Sequence, residues 1–190
     1  MVGVEPNAEM RRAGNDVLGG YPRFGGVEGS AEATGLEAAS VDLVVAGQAF
    51  HWFDRKATRQ ECLRILREPR WAALMWNVRL SDTGAFARGY EDLLERYGTD
   101  YSAYRSRRID SDDLHDFFGA PPAERRMPNG QAFDFEGLKG RHLSASYVPK
   151  VGHPDHGPMM LELRRLYEEH SVDGCVRFAY DTQLFVGKLV

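Results

Sequence analysis

The chain has 190 residues, 43% of them hydrophobic and 27% charged, with a formal net charge of −4 at pH 7. Such a chain is long enough for one domain with a real core, and its composition is that of a folded globular protein rather than a disordered one. The negative balance argues against a nucleic-acid partner or an anionic membrane held by electrostatics.

Two cysteines, Cys62 and Cys175, make neither a disulfide framework nor a metal cluster. No run reaches the ~20 apolar residues a membrane helix needs. No basic-then-apolar signal peptide opens the sequence, so a cytoplasmic location is the default expectation.

Taken in order, Met1 to Glu5 reads as a strand ending in an acid. Residues 7–18 read as a helix with Asn7 as N-cap, Met10, Ala13 and Val17 on one side, and Gly19 just past its end. A glycine-rich loop leads into a short strand-like piece, Phe24 to Val27, and then to the pair Ala31 and Glu32. Val41, Leu43, Val44, Val45 and Ala46 form an apolar run, broken by Asp42, of the kind a parallel strand buried on both faces shows. Gly47 ends it and permits an unusual turn. Gln48, Ala49, His51 and Trp52 follow at the strand's carboxyl end, the edge at which open α/β sheets bind ligands.

Asp54 is placed to cap a helix over about residues 55–67, which Pro69 ends. Residues 71–76 read as a further strand with Asn77 and Arg79 behind it. Residues 84–97 form an amphipathic helix, and 110–118 a short one capped by Asp110 or Ser111. Between them Arg105, Arg107 and Arg108 face Asp110, Asp112 and Asp113, which reads as a self-compensating surface or, less simply, a phosphate site. Residues 124–135 look like an outer strand interrupted at Pro128-Asn129-Gly130, 135–143 a helix, 149–158 a loop, and 159–170 a helix. His153 and His156 flank Pro154 and Asp155 in that loop without further ligands, so no metal site is expected. The stretch from Val176 to Val186 reads as a bulged antiparallel strand.

These pieces, in this order and spacing, resemble the class I S-adenosylmethionine-dependent methyltransferases of the small-molecule type, near the trans-aconitate methyltransferase-like group. The matching segments are Val2-Gly3-Val4-Glu5-Pro6-Asn7 with Met10, Gly29-Ser30-Ala31-Glu32, Ser40 to Val45, Gln48 to Phe53, Glu61 to Leu66, and Trp76-Asn77 with Arg79. The likeness extends through Leu143 to Pro149 and the last strand. It implies an α/β fold, a Rossmann-like, mostly parallel sheet with helices on both faces and an antiparallel last strand, as a single domain over 1–190.

The family begins with a strand, a glycine-rich loop and a helix before the Glu5 strand, and the sequence holds no such segment. A first strand and helix are therefore expected to be missing, with Met1 standing where an internal strand residue would be. Two apolar strand edges would then invite homo-oligomers.

The resemblance also implies roles. Glu5 would accept from the ribose hydroxyls of S-adenosylmethionine, with helix-dipole stabilisation as the plainer reading. Ala31 and Glu32 would meet the adenine. Met10 would cover it, or simply pack in the core. Gln48 and Ala49 complete the cofactor set. His51 is either a general base or part of an aromatic cap on the sheet edge. Trp52, Asn77, Arg79 and Tyr147 would contact a small-molecule acceptor; Arg79 either pairs with its carboxylate or is an ordinary surface arginine, and Tyr147 either closes the acceptor side or, more simply, packs as a core tyrosine. Asp42 reads as a core-edge acid bonded to backbone. The implied activity is methyl transfer to a small molecule. The alternative is a non-catalytic relative that binds cofactor weakly or serves as an interaction partner.

Overall fold

The computed structural model describes residues 1–102 and 109–190; Arg105, Arg107 and Arg108 lie outside the described residues. The elements are β1 (Val2–Val4), α1 (Ala8–Leu18), β2 (Gly25–Val27), β3 (Val41–Gly47), a 3-10 turn (Phe50–Trp52), α2 (Arg55–Ile65), β4 (Leu66–Arg79), α3 (Ala85–Tyr97), α4 (Ser111–Phe118), β5 (Ala123–Phe133), α5 (Phe135–Leu143), α6 (His156–His170) and β6 (Val176–Lys188). β1 and β2 form a parallel pair with Val2 opposite Gly25 and Val4 opposite Val27. The other strands run in the order β3-β4-β6-β5, with β3 parallel to β4. The chain divides into two compact units: Met1–Met75, Ile109–Glu124 and Leu184–Val190 make the first, Trp76–Arg108 and Arg125–Gln183 the second.

In the first unit, helix starts follow local chemistry. The Asn7 side chain accepts from the amides of Glu9 and Met10, and Asp54 accepts from Ala57, each satisfying amides that a helix start leaves orphaned. Asp110 and Asp113 form a reciprocal capping box at α4. Phe50, Phe117 and Phe118 are almost fully buried, with the Phe50 and Phe117 rings edge to face at 4.7 Å. Each such side chain contributes roughly 1.5–3 kcal/mol on burial. Cys62 is buried as the small hydrophobe its sequence context implies, and burial pushes its thiol up to about 12.

β3 departs from the expectation of burial on both faces. The face of Val44 and Ala46, opposite Ala72 and Leu74, is covered, with Ala72 at 0% and Leu74 at 1% exposure. The face of Leu43 and Val45 is open, these two being 50% and 59% exposed, with Trp71 and Met75 on the same side also exposed. β3 is also the edge of its sheet. α1 likewise buries no residue, and Met10 and Val17 face solvent rather than a core.

Other differences are local. α2 ends at Ile65, and β4 starts at once; Glu68-Pro69-Arg70 interrupts the strand's register, with Val41 opposite Leu66 but Leu43 opposite Trp71. The unusual turn after β3 falls on Gln48, whose φ is +57°, not on Gly47. Asp42 is a surface acid paired with Arg67 at 2.9 Å, rather than a core-edge acid held by backbone.

The second unit is built round α3, α5, α6 and the first part of β6. Phe86, Tyr90, Leu93, Leu94, Leu138, Met159, Leu163, Leu166, Val176 and Phe178 belong to one buried cluster. Gly89 permits the approach of α6 to α3, since a Cβ there would lie 2.6 Å from a Leu166 methyl. α6 begins at His156, earlier than its apolar pattern suggests, because Gly157 and Pro158 fall in the first turn, where a missing amide donor costs nothing. β5 runs unbroken through Pro128-Asn129-Gly130; it is an edge strand, exposed along almost its whole length, where proline is tolerated.

Candidate functional site

In the first unit the expected cofactor residues other than Met10 follow the carboxyl ends of β1, β2 and β3. Glu5 follows β1, and its amide donates to the Val27 carbonyl at 3.2 Å. One carboxylate oxygen accepts from the Asn7 amide at 2.8 Å, and the other has no hydrogen bond among the described residues. Arg11 ties the region together: it donates to the Glu5 and Pro6 carbonyls and pairs with Glu28 at 2.8 Å. Met10, on the exposed side of α1, is 63% accessible, which removes the core-packing reading.

Glu32 reaches the turn beyond β3, where its Oε1 accepts from the Asp54 amide at 3.0 Å. Burial by itself would raise the Glu32 carboxyl. Hydrogen bonds from Ser30, from its own amide and from Asp54 outweigh that and hold it below its ordinary value. The loop carrying Ala31 and Glu32 is pinned from behind. Glu61 accepts from the Thr34 amide at 2.9 Å and hydroxyl at 2.5 Å, and pairs with Arg64, which also donates to the Leu36 carbonyl at 2.7 Å. The Arg64 contact, against an opposing burial effect and with help from Thr34, brings Glu61 down to about 2.

The Gln48 amide donates to the Met75 carbonyl at 2.9 Å, and its positive φ swings the chain off the strand end. Ala49 opens the 3-10 turn and its carbonyl accepts from Trp52. The His51 and Trp52 rings lie 4.8 Å apart; His51 is half-buried and Trp52 is 56% exposed. Phe50 points into the core as an aromatic cap. The expected acceptor-side Trp52 thus sits with the cofactor-side residues.

The remaining expected acceptor residues belong to the second unit. Asn77 accepts from the Thr182 hydroxyl at 2.6 Å, and Asn129 donates to that hydroxyl at 3.3 Å. Arg79 already holds a carboxylate, that of Glu91 at 2.6 Å, and Tyr101 donates to the other Glu91 oxygen at 2.7 Å. The Arg79 guanidinium lies over the Tyr90 ring, and its Nη1 is buried with no partner. Tyr147 is a packed tyrosine at the edge of the core, its ring 5.1 Å from Tyr101. Beside these stand Tyr90, Arg141, His142 and Tyr180, which nothing in the sequence singles out. Tyr90 and His142 share a 2.9 Å hydrogen bond. Burial first, then the charges of Arg141, Lys150 and His156, lower the imidazole to about 4. Among the described residues there is no cluster of metal-binding side chains, and no helix is long and apolar enough to cross a membrane.

Residues 1–71 match the methyltransferase domain family. The match contains every expected cofactor residue. A methyltransferase-like protein of Schizosaccharomyces pombe is 36% identical over 86 residues, which is 45% of this chain and 33% of that protein. A Mycobacterium tuberculosis methyltransferase, itself uncharacterised, is 38% identical over 99 residues, 52% of this chain and 39% of that one. The matched part thus spans about a third to two fifths of these curated relatives. Among solved structures, a protein assigned as a type II methyltransferase from Anaeromyxobacter dehalogenans superposes with a TM-score of 0.56 at 18% identity, covering 100% of this chain and 80% of that one. Another assigned methyltransferase, from Bacillus halodurans, gives 0.56 at 16% identity over 98% and 81%. The chain has the α/β, Rossmann-like fold of these structures, and the sequence match to the methyltransferase domain family is confined to residues 1–71.

Proposed function

We propose that this chain takes part in S-adenosylmethionine-dependent methyl transfer to a small-molecule acceptor, with a carboxylic acid as the acceptor class. The observation that carries the proposal is the domain match over residues 1–71 together with what the fold does to them. Glu5, Glu32 and the Gln48 to Trp52 turn fall at the carboxyl ends of strands within one unit. Glu5 keeps one oxygen open.

These residues suit the adenosyl half of the cofactor. Glu5 would accept from the two ribose hydroxyls, with the Asn7 amide steadying its carboxylate and Arg11 its carbonyl. Ala31 and Glu32 would flank the adenine, and the exposed Met10 would cover it. Gln48 and Ala49 would line the methionine side. The bound cofactor supplies an electrophilic methyl group. A carboxylate acceptor carries no proton at neutral pH, so its oxygen needs no base; His51 would orient that oxygen, and Trp52 would exclude water and align the acceptor. Alignment alone is a large part of such a reaction, so His51 assists rather than defines it.

The test is transfer of a radiolabelled methyl group from S-adenosylmethionine to a panel of small acids. Label in an acid-derived ester, lost in His51→Ala and Glu5→Ala together, is the expected result. Label in none of the acids would remove the acceptor class.

A further inference from the structure

α2 grips the loop between β2 and β3 at two points. Beside the helix start, the Asp54 amide donates to Glu32 Oε1 at 3.0 Å. About two turns further along the helix, Glu61 Oε1 accepts from the Thr34 amide at 2.9 Å and the Thr34 hydroxyl at 2.5 Å. Arg64 closes the clamp. Its Nε and Nη2 donate to the two Glu61 oxygens at 2.7 and 2.8 Å, and Nη2 also donates to the Leu36 carbonyl at 2.7 Å. Glu61 is the only buried acid among the described residues, and Thr34 is buried with it. A buried carboxylate is costly unless its oxygens are hydrogen-bonded, and here both are.

The turn held in this way is tight. Ser30 and Ala33 exchange amide-to-carbonyl hydrogen bonds at 3.1 and 3.3 Å, which puts Ala31 and Glu32 at its tip. A Cβ on Gly29 would lie 2.8 Å from the Thr34 carbonyl, so the stem of the turn rests directly on the residue that Glu61 holds. The half-buried Ala31 has an amide that donates to no group among the described residues. Apolar packing alone would keep such a turn in place, but a hydrogen bond sets direction as well as distance.

We propose that Glu61 is a positioning residue for nucleobase selection: by holding Thr34 it fixes the angle at which the Ala31 amide meets a purine ring. An N–H held at a set angle favours a ring nitrogen that accepts and rejects one that donates. Adenine N1 is an acceptor. Hypoxanthine N1 carries a hydrogen and opposes the amide with a second donor. Releasing the clamp lets the turn adjust, and the preference is lost with it. The proposal rests on the adenosyl reading given above, and assigns the selection to a side chain that touches no ligand.

The test is calorimetric titration of S-adenosylhomocysteine and S-inosylhomocysteine into the parent protein, Glu61→Gln, Thr34→Val and, as a control, Ile65→Ala. Ile65 lies on the same helix and is buried, and its side chain is no part of the clamp. The parent is expected to prefer the adenosyl compound by ~10-fold or more, the scale of one good hydrogen bond set against an opposed donor. Glu61→Gln should cut that preference to ~3-fold or less, and Thr34→Val, the milder change, should lower it in the same direction. Ile65→Ala should lower stability and leave the preference intact. An undiminished preference in Glu61→Gln, or an equal loss in Ile65→Ala, would overturn the proposal and leave the cofactor reading in place. A parent that binds both compounds equally would do the same. A parent that binds neither would overturn the cofactor reading and the proposal with it. If Glu61→Gln does not fold, Thr34→Val decides: an unchanged preference there overturns the proposal.

Discussion

Arg79 donates to Glu91 across 2.6 Å, and both side chains are largely buried, at 14% and 13% exposure. The arginine expected from sequence to seek a ligand's carboxylate has thus been given one by α3. Removing one member of such a pair strands the other charge. Glu91→Gln is expected to destabilise the protein by about 2–4 kcal/mol in urea unfolding, whereas Arg79→Met with Glu91→Met should recover most of that loss. Additive losses in the double variant would mean that the two side chains act independently.

Acid stability should register Glu61. Its folded value of about 2 lies below its ordinary 4.5, so its contribution is fully present above pH 4.5 and is lost as pH falls towards 2. Glu61→Gln is expected to cost about 1–3 kcal/mol at neutral pH, the range for a buried hydrogen-bonded group left without its charge. It should also flatten stability across that acid window. A variant whose acid profile overlays the parent's would place the acid sensitivity elsewhere.

His142 acts in a higher window. Its imidazole is brought from 6.5 to about 4, so the folded state resists a proton that the unfolded chain accepts. Stability is therefore complete above pH 6.5 and declines between 6.5 and 4. His142→Phe should remove this slope while leaving the Tyr90 hydroxyl unpartnered, at a cost of about 1–3 kcal/mol. Thermal unfolding followed from pH 7 to pH 4 in both proteins checks it.

The open face and edge of β3 carry a different expectation. Leu43 and Val45 are half exposed or more on a strand at the end of its sheet. Such edges pair with other chains unless charge or proline blunts them, as Glu124, Arg125 and Pro128 do on β5. Light scattering is expected to show concentration-dependent association that Val45→Lys suppresses. Monomers at every concentration would show the edge to be protected by other means.

Much of this was legible in residues a few positions apart. Asn7, Asp54 and Asp110 announce their helices because a cap is a local hydrogen bond. The Val41 to Gly47 run announces a strand. What it could not announce was cover: periodicity identifies an apolar face, but whether anything packs on it is a tertiary matter, and Leu43 and Val45 are open. The Tyr90–His142 pair was hidden for the same reason: the two stand on different helices, and only the fold joins them across 2.9 Å. The Glu5, Glu32 and Gln48 positions were legible as strand-end residues because each follows a strand within residues 1–71, the part that matches the methyltransferase domain family.

The central claim is that the carboxyl ends of the first unit's strands hold an S-adenosyl compound, and calorimetric titration of S-adenosylhomocysteine into the protein and into Glu5→Ala tests it most directly. One-to-one binding is expected, with the variant weakened by ~10-fold or more, as fits the loss of charge-assisted hydrogen bonds to two hydroxyls. No binding by the parent protein, or identical affinity in Glu5→Ala, would contradict it.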